Sequence, residues 1–391
     1  VINTERATIL DAGCGSGYKS LVLAEANPGA TIVGIDLSAE SVSLAKTRLK
    51  HHGFDNAQFH TLAIEDIPRL GMEFDYINCD EVLYLFPNPA DGLASLKSAL
   101  KPQGIIRSNL HSSWQRAPYF RAQNVFQMMG LFENNPEALE VELVQEIMKA
   151  LKPGTDLKAR AWTADCEAED AQETILMNYL FQGDQGFTIR QMFEAIQSAN
   201  LEFLSMVNWR QWEVLNLFEN PEDLPVFLAL SLPEISVEER LTLFELLHPV
   251  HRLLDFWCTS PDQEHHLFPV EAWSSEDWQR AKVHLHPQLQ TQAAKTAFLK
   301  SLQTQQPLDL SKLLSMTTTS SFFVDSAVLP SLLLLVEGPR SFQDLVEHRL
   351  RLFPHDWVTG TAMTMTKAAE ELQVLLSRLE VFLYVLLELE S

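Results

Sequence analysis

The densest chemistry in the chain lies in Ile9-Leu10-Asp11-Ala12-Gly13-Cys14-Gly15-Ser16-Gly17. An apolar run, Ala7 to Leu10, leads into a turn where Gly13, Gly15 and Gly17 carry no side chain, so main-chain N–H groups can approach a nucleotide-like ligand closely. A second apolar run, Thr31 to Ile35, ends in Asp36 and Leu37. In a βαβ unit that places the Asp36 carboxylate where the two hydroxyls of a ribose would sit. A third run, Phe59 to Ile64, delivers Glu65-Asp66, an acidic pair placed for an adenine amine. Beyond a fourth run, Phe74 to Cys79, stand Asp80, Glu81 and Tyr84, and beyond a fifth, Ile105 to Leu110, stands His111. These acids, a phenol and an imidazole fall at the carboxyl ends of strands, where open α/β sheets bind ligands and a proton could be taken.

The elements that must position these groups are five apolar strands alternating with helices, which predicts a doubly wound parallel sheet. A helix is expected from about Ala90 to Leu100, then the turn Lys101-Pro102-Gln103-Gly104. Two nucleotide readings lose support. A dinucleotide fingerprint calls for Gly or Ala where Tyr18 stands, and the Gly-Lys-Ser/Thr of a P-loop is absent.

Taken in order, Asp11 to Gly17, Asp36, Glu65-Asp66, Phe74-Asp75 and Leu100-Lys101-Pro102-Gln103-Gly104 make residues 1 to about 112 resemble a class I S-adenosylmethionine (SAM) dependent methyltransferase. The resemblance implies a Rossmann-like sheet with SAM as cofactor. It implies Asp11, Gly13, Cys14, Gly15 and Gly17 on the methionine part, Asp36 and Leu37 at the ribose, Asp66 on the adenine amine, Ile64 and Glu65 beside the ring, and Asp80 bordering the cofactor. Gln103 departs from the usual second glycine of its turn. The family also has a lid helix upstream of strand one, and the chain begins a few residues before that strand.

Methyl transfer from a sulfonium is an in-line displacement, so a base is needed only when the nucleophile arrives protonated. Asp80, Tyr84 and His111 are the catalytic candidates, with Glu81 beside them; Asp80 equally suits a helix N-cap, and His111 a packing role. Trp114 to Arg121, after strand five, either lines a substrate pocket or packs Trp114 and Phe120 on the sheet. No metal is expected, because Asn109 lacks the acidic partners of a catechol-type centre. The Asn/Asp-Pro-Pro-Tyr/Phe signature of many amide methyltransferases is missing, since the chain reads Asn78-Cys79-Asp80-Glu81.

At 391 residues the chain exceeds one typical domain. The expected division is a SAM-binding domain over 1–112, a helical substrate or insert domain over 113–260, and a helical region over 261–391 with a winged-helix-like end. Candidate helices run from Trp114 to Met129, Pro136 to Leu151, Asp170 to Phe181 and from Thr188 to before Asn200, with an extended segment at Leu201 to Val207. The terminal unit reads as a helix over Val328 to Val336, a second opened by a Ser341/Asp344 capping box, a third from Thr366 to Leu379, and a strand from Val381 to Leu387. This layout resembles bacterial methyltransferases with an appended module, protein-lysine methyltransferases among them, through Ile175 to Phe181, Phe187 to Ile189, Ala199 to Leu204 and Leu253 to Cys258.

A net charge of −23 speaks against nucleic-acid partners, which need clustered Lys and Arg. Residues 1–112 hold 9 basic and 13 acidic side chains, so most of the acidity belongs to the appended part, as solvated helix faces or a docking surface. No apolar run reaches the roughly 18 to 20 residues of a membrane span. Four cysteines without CxxC spacing suit a reducing cytoplasm. Three functions remain in play. The accessory mass favours methylation of a protein side-chain nitrogen; methylation of a small metabolite at O, N or C and a non-catalytic SAM-binding scaffold are the alternatives.

Overall fold

The computed structural model describes residues 4–168, 170–220, 223–261, 270–314, 322–355 and 360–389. Contacts divide the chain into two compact units, one over residues 4–264 and one from 265 onward. The first holds β1 (Thr8–Ala12), α1 (Tyr18–Ala26), β2 (Thr31–Asp36), α2 (Ala39–His51), β3 (Gln58–Thr61), β4 (Phe74–Cys79), α3 (Pro89–Lys97) and β5 (Leu100–Ser112). Strands β1 and β2 are buried on both faces, which is why they read as apolar runs instead of alternating. With β3, β4 and β5 these strands build one sheet. They pair in the order β3-β2-β1-β4-β5, all parallel. The order reverses at β1/β4, and the crevice there is the ligand position of a doubly wound sheet.

Strand β5 begins at Leu100, so the expected Lys101–Gly104 turn lies inside it. The β4–β5 register shifts between Phe74 and Tyr76. A Cβ on Gly104 would stand 2.9 Å from the Phe74 carbonyl oxygen, so glycine is what permits this irregular pairing.

After β5 the chain makes a helical excursion, α4 (Ser113–Met128), α5 (Ala138–Ala150), α6 (Asp156–Ala161) and α7 (Gln172–Tyr179), around Phe126, Val144, Met148, Ile175 and Tyr179. It then returns to the sheet through β6 (Gly186–Phe187), α8 (Ile189–Ser198), β7 (Glu202–Met206), α9 (Val226–Ser231), α10 (Val237–Leu247) and β8 (Leu253–Thr259). β8 runs antiparallel to β5, β7 antiparallel to β8, and β6 adds a short parallel pairing at His111–Ser112. The sheet expected to end near residue 112 therefore takes three strands from the stretch read as a helical middle domain, and residues 4–264 form one unit. β5 and β8 are locked by Arg107, whose Nε and Nη2 donate to the two Asp255 oxygens at 3.1 and 2.6 Å.

The second unit contains α11 (Ser275–Gln279), β9 (Ala281–Leu285), α12 (Gln292–Thr304), the hairpin pair β10 (Leu308–Asp309) and β11 (Phe323–Val324), α13 (Leu329–Val336), β12 (Arg340–Ser341), α14 (Phe342–Leu352), α15 (Met365–Val381) and β13 (Val385–Leu389). The run α13-β12-α14-α15-β13 follows winged-helix order, with β9 from upstream as the central strand of β12-β9-β13. Ser341 Oγ accepts from Asp344 N at 3.1 Å, so the cap read from sequence opens α14. The last strand starts later than expected. α15 continues to Val381 and Leu383 turns the chain at φ +58°.

Candidate active site

The turn between β1 and α1 is shaped by three glycines that differ in what they do. A Cβ on Gly13 would lie 2.3 Å from Val82, and one on Gly17 would lie 2.7 Å from Ala45 on α2. At Gly15, φ +48°, the same position faces open space. Gly13 and Gly17 therefore serve packing, and Gly15 opens the approach to a ligand. No side chain caps the first amides of α1, which face the same opening. Cys14 is buried and faces Gly34 from within the turn.

Asp11 lies beneath this turn, buried, accepting from Ser20 Oγ at 2.5 Å and Asn78 Nδ2 at 2.8 Å. Burial pushes its carboxyl up against these hydrogen bonds. Asp36, at the end of β2, accepts from Gly15 N and Ser38 N, both at 2.9 Å, one on each oxygen. It pins the glycine turn and still has lone pairs for a diol. Leu37 beside it is 77% exposed, an apolar surface flanking the crevice. Glu65 and Asp66 fall in a 3-10 turn, Ile64–Leu70, instead of extending strand three; Glu65 is exposed and Asp66 pairs with Arg69 at 3.2 Å. An open glycine face, uncapped amides, a diol-ready carboxylate and an exposed leucine together fit an adenosyl ligand.

Across the crevice, Asp80 caps no helix. The turn Leu83–Leu85 starts after Val82, and the Asp80 carboxylate instead pairs with Lys19 at 2.8 Å and accepts from Asn109 Nδ2 at 2.5 Å. Asn109 also accepts from Glu81 N at 2.9 Å, so one buried amide fixes both residues of the β4 terminus. Glu81 sits at φ +61°, a conformation costly for a residue with a Cβ. Its carboxylate takes hydrogen bonds from both Arg252 terminal nitrogens, from Tyr84 Oη at 3.1 Å, and faces His111 Nε2 at 3.5 Å. Burial would raise this carboxyl, but His111 and Arg252 outweigh it and hold it down at about 2.

His111 is fully buried at the end of β5. Its ring stacks on Tyr84 with centroids 3.8 Å apart, and its Nδ1 lies 2.6 Å from Asp184 Oδ1. Arg252 Nη1 is 3.2 Å from Nε2. A guanidinium only donates, so the tautomer that answers Arg252 has its proton on Nδ1 toward Asp184 and its lone pair on Nε2, whereas it is a ring with a proton on Nε2 that donates to Glu81 and lowers it. Asp184 also accepts from Arg116 Nη2 and Gln123 Nε2, each at 2.9 Å. Its burial opposes ionisation; the bonds from His111, Arg116 and Gln123 prevail and lower it. Tyr84 is no base: burial and the Glu81 charge push its phenol far up, so it keeps its proton and donates.

The structure thus brings Asp80, Glu81, Tyr84 and His111 together, as their positions at strand ends predict. It adds Asp184 and Arg252, which the sequence did not single out for chemistry, and Arg116, which belongs to the Trp114 to Arg121 segment read as a candidate pocket lining. The Gly183-Asp184-Gln185-Gly186 turn was visible, but nothing in it reveals a partner 73 positions away. In α4 it is Arg116 that turns inward, whereas Trp114 is 51% exposed and does not pack on the sheet. Between α4 and this turn lies a cavity of about 580 Å³, lined by Phe120, Phe181, Gln123, Gln185, Asp184 and the exposed Asn124.

Sheet order, glycine turn and the acid closing β2 give the first unit the Rossmann-like fold of class I SAM-dependent methyltransferases. Residues 3–180 match the family described as a methyltransferase domain, and the cofactor of such a domain is S-adenosylmethionine. An uncharacterised protein of Synechococcus sp. is 28% identical over 70% of this chain and 63% of its own length. The ubiquinone biosynthesis O-methyltransferase of Actinobacillus pleuropneumoniae is 34% identical over 25% of this chain and 43% of its own. The chain therefore spans less than two thirds of both relatives. PKMT2 from Rickettsia typhi, solved in complex with AdoHcy, is 16% identical and superposes over 99% of this chain and 72% of that one with a TM-score of 0.67. At that identity it is the fold that is shared. Among the described residues no helix is long and apolar enough to cross a membrane.

Proposed function

We propose that this chain methylates a nitrogen of a protein side chain, a lysine amine, in a reducing cytoplasm where its four buried cysteines stay free thiols. The observation that carries the reading is a carboxylate held ionised beside a His–Asp pair, with a cation already seated on it. Glu81 binds the incoming ammonium, and His111 Nε2 takes the proton that an amine must lose before it can attack. Asp184 holds the Nδ1 proton and steadies the imidazolium that results. Tyr84 stacks on the ring and donates to Glu81, and Asn109 keeps Asp80 and Glu81 aimed into the crevice. Asp11, Gly13, Cys14, Gly15, Gly17, Asp36, Leu37, Glu65 and Asp66 line the cofactor side, with Asp80 at its edge through Lys19. These residues would hold S-adenosylmethionine, which would supply a methyl on sulfonium that can pass to nitrogen with the C–S electron pair left on sulfur. The shared fold with the protein-lysine methyltransferase PKMT2 agrees with this reading.

A second reading is O-methylation of a small molecule. A His–Asp pair also suits a phenolic hydroxyl, the cavity of about 580 Å³ has the volume of a small-ligand site, and a curated relative is an O-methyltransferase. Incubation with methyl-tritiated SAM and a host lysate, fractionated by size, separates the two. Label recovered as methyl-lysine from the protein fraction supports the first. Label confined to small molecules replaces it with the second, and label in neither fraction leaves only SAM binding.

A further inference from the structure

The cation on Glu81 belongs to the protein itself. Arg252 is the last residue before β8, and its carbonyl oxygen accepts from Ser112 N at 2.9 Å, which fixes its main chain beside His111. The preceding His251 is clamped by ring contacts with Trp212 and Phe244, centroids 4.3 and 5.6 Å away, so the approach to Arg252 is rigid. The side chain is 45% exposed and ends on two acceptors, the Glu81 carboxylate and the His111 Nε2 lone pair. Those are the two groups an ammonium substrate needs, one for its charge and one for its proton. Lys19, Arg107 and Arg116, other cations near this end of the sheet, are engaged elsewhere, Lys19 with Asp80, Arg107 with Asp255 and Arg116 with Asp184.

We propose that Arg252 is an exchangeable counter-ion: the cationic side chain to be methylated displaces its guanidinium from Glu81 and His111, and the site thereby selects cationic over neutral acceptors. The inference rests on the lysine reading above. Exchange of one cation for another leaves the half-buried Glu81 compensated throughout, so entry does not require the unpaired buried charge that makes such sites costly to open. A neutral acceptor has no such compensation; it would strand Glu81 once the guanidinium swings out. Swinging out is open to Arg252, because its exposed face already meets solvent. It also releases His111 Nε2 from a donor, so the base becomes available only as substrate arrives.

The test measures binding apart from transfer. Nα-acetyl-lysine methylamide and its uncharged analogue Nα-acetyl-norleucine methylamide are titrated calorimetrically into the full chain saturated with S-adenosylhomocysteine, as wild type, Arg252→Ala and Arg252→Lys. Removal of a competing internal cation raises the competent fraction, so Arg252→Ala should bind the lysine probe at least about fivefold more tightly with the norleucine probe unchanged. Arg252→Lys, which restores a cation, should return toward wild type and guards against a misfolded alanine variant. Equal or weaker lysine binding by Arg252→Ala overturns the exchange, as does parallel tightening for both probes, or a lysine probe that binds none of the proteins. If the probe behaves as predicted yet accepts no methyl from SAM, the exchange stands and the lysine-methylation reading falls. If methyl-lysine forms while Arg252→Ala binds like wild type, the reading stands and the exchange falls.

Discussion

Asp184→Asn tests the buried relay most severely. The carboxylate is fully buried and receives three donors, His111 Nδ1 at 2.6 Å and Arg116 Nη2 and Gln123 Nε2 at 2.9 Å. Asparagine has nearly the same shape but no charge, and one of its two ends is itself a donor. With its oxygen toward His111, its NH2 faces both Arg116 and Gln123. Reversed, it faces His111 and drives that proton to Nε2, which destroys the proposed base. In the first orientation Arg116, itself fully buried, keeps only Asn178 Oδ1 at 3.1 Å as an acceptor; in both it loses its counter-charge, and its Nε has no partner. A buried ion pair broken on one side costs roughly 3–5 kcal/mol, and that is the loss we expect. Because the chain has two units, global unfolding is not a two-state reporter, so the readout is native-state hydrogen exchange at the amides of α4 and α7. Arg116→Met in the same protein should recover roughly 0.5–3 kcal/mol of the loss. A loss below about 1 kcal/mol for Asp184→Asn, or no recovery in the double variant, would refute the claim that this pair is a coupled buried charge.

Asp36→Ala should weaken S-adenosylhomocysteine binding by roughly 1–3 kcal/mol in a calorimetric titration, since the carboxylate both accepts the ribose hydroxyls and holds Gly15 N; unchanged affinity would remove Asp36 from the site. Gly17→Ala should destabilise the first unit by more than about 1 kcal/mol, because the new Cβ meets Ala45 at 2.7 Å and φ is +79°. Equal exchange protection in wild type and variant would show that this packing is dispensable. In acid, Glu81 has a lower pKa folded than unfolded, so its contribution is complete above about 4.5 and disappears as pH falls toward about 2. Stability followed by exchange should decline across that window, and Glu81→Gln should flatten the decline. An identical acid profile in the variant would mean Glu81 is not held ionised by its neighbours.

What was legible in the sequence is what depends on neighbours along the chain. The β1 turn, the acid ending β2 and the cap at Ser341 are short-range features, and the Ser341 hydroxyl accepts from the amide three residues on. His111 was placed by its position at a strand end. What was hidden depends on pairing at a distance. Leu253–Thr259 alternates buried and half-buried residues, the pattern of a strand, yet only the fold reveals that it lies beside β5 with Asp255 on an arginine 148 positions earlier. Asp184 stood in a turn whose glycines advertised flexibility, not a buried carboxylate. Glu81 is the sharpest case. Its left-handed backbone is held by Asn109 from the next strand and its carboxylate by Arg252 just ahead of β8, and no local propensity predicts φ > 0 for glutamate.

The account depends on one grip, that of the glycine turn and Asp36 on an adenosyl ligand, and a calorimetric titration with S-adenosylhomocysteine probes it directly. Wild type should bind one equivalent saturably. Gly15→Val, whose side chain would fill the open face without meeting protein but at φ +48°, should lose exchange protection in the turn itself, keep it in β4 and β5, and give no heat. Absence of binding to the folded wild type, or undiminished binding to Gly15→Val, would contradict the site described.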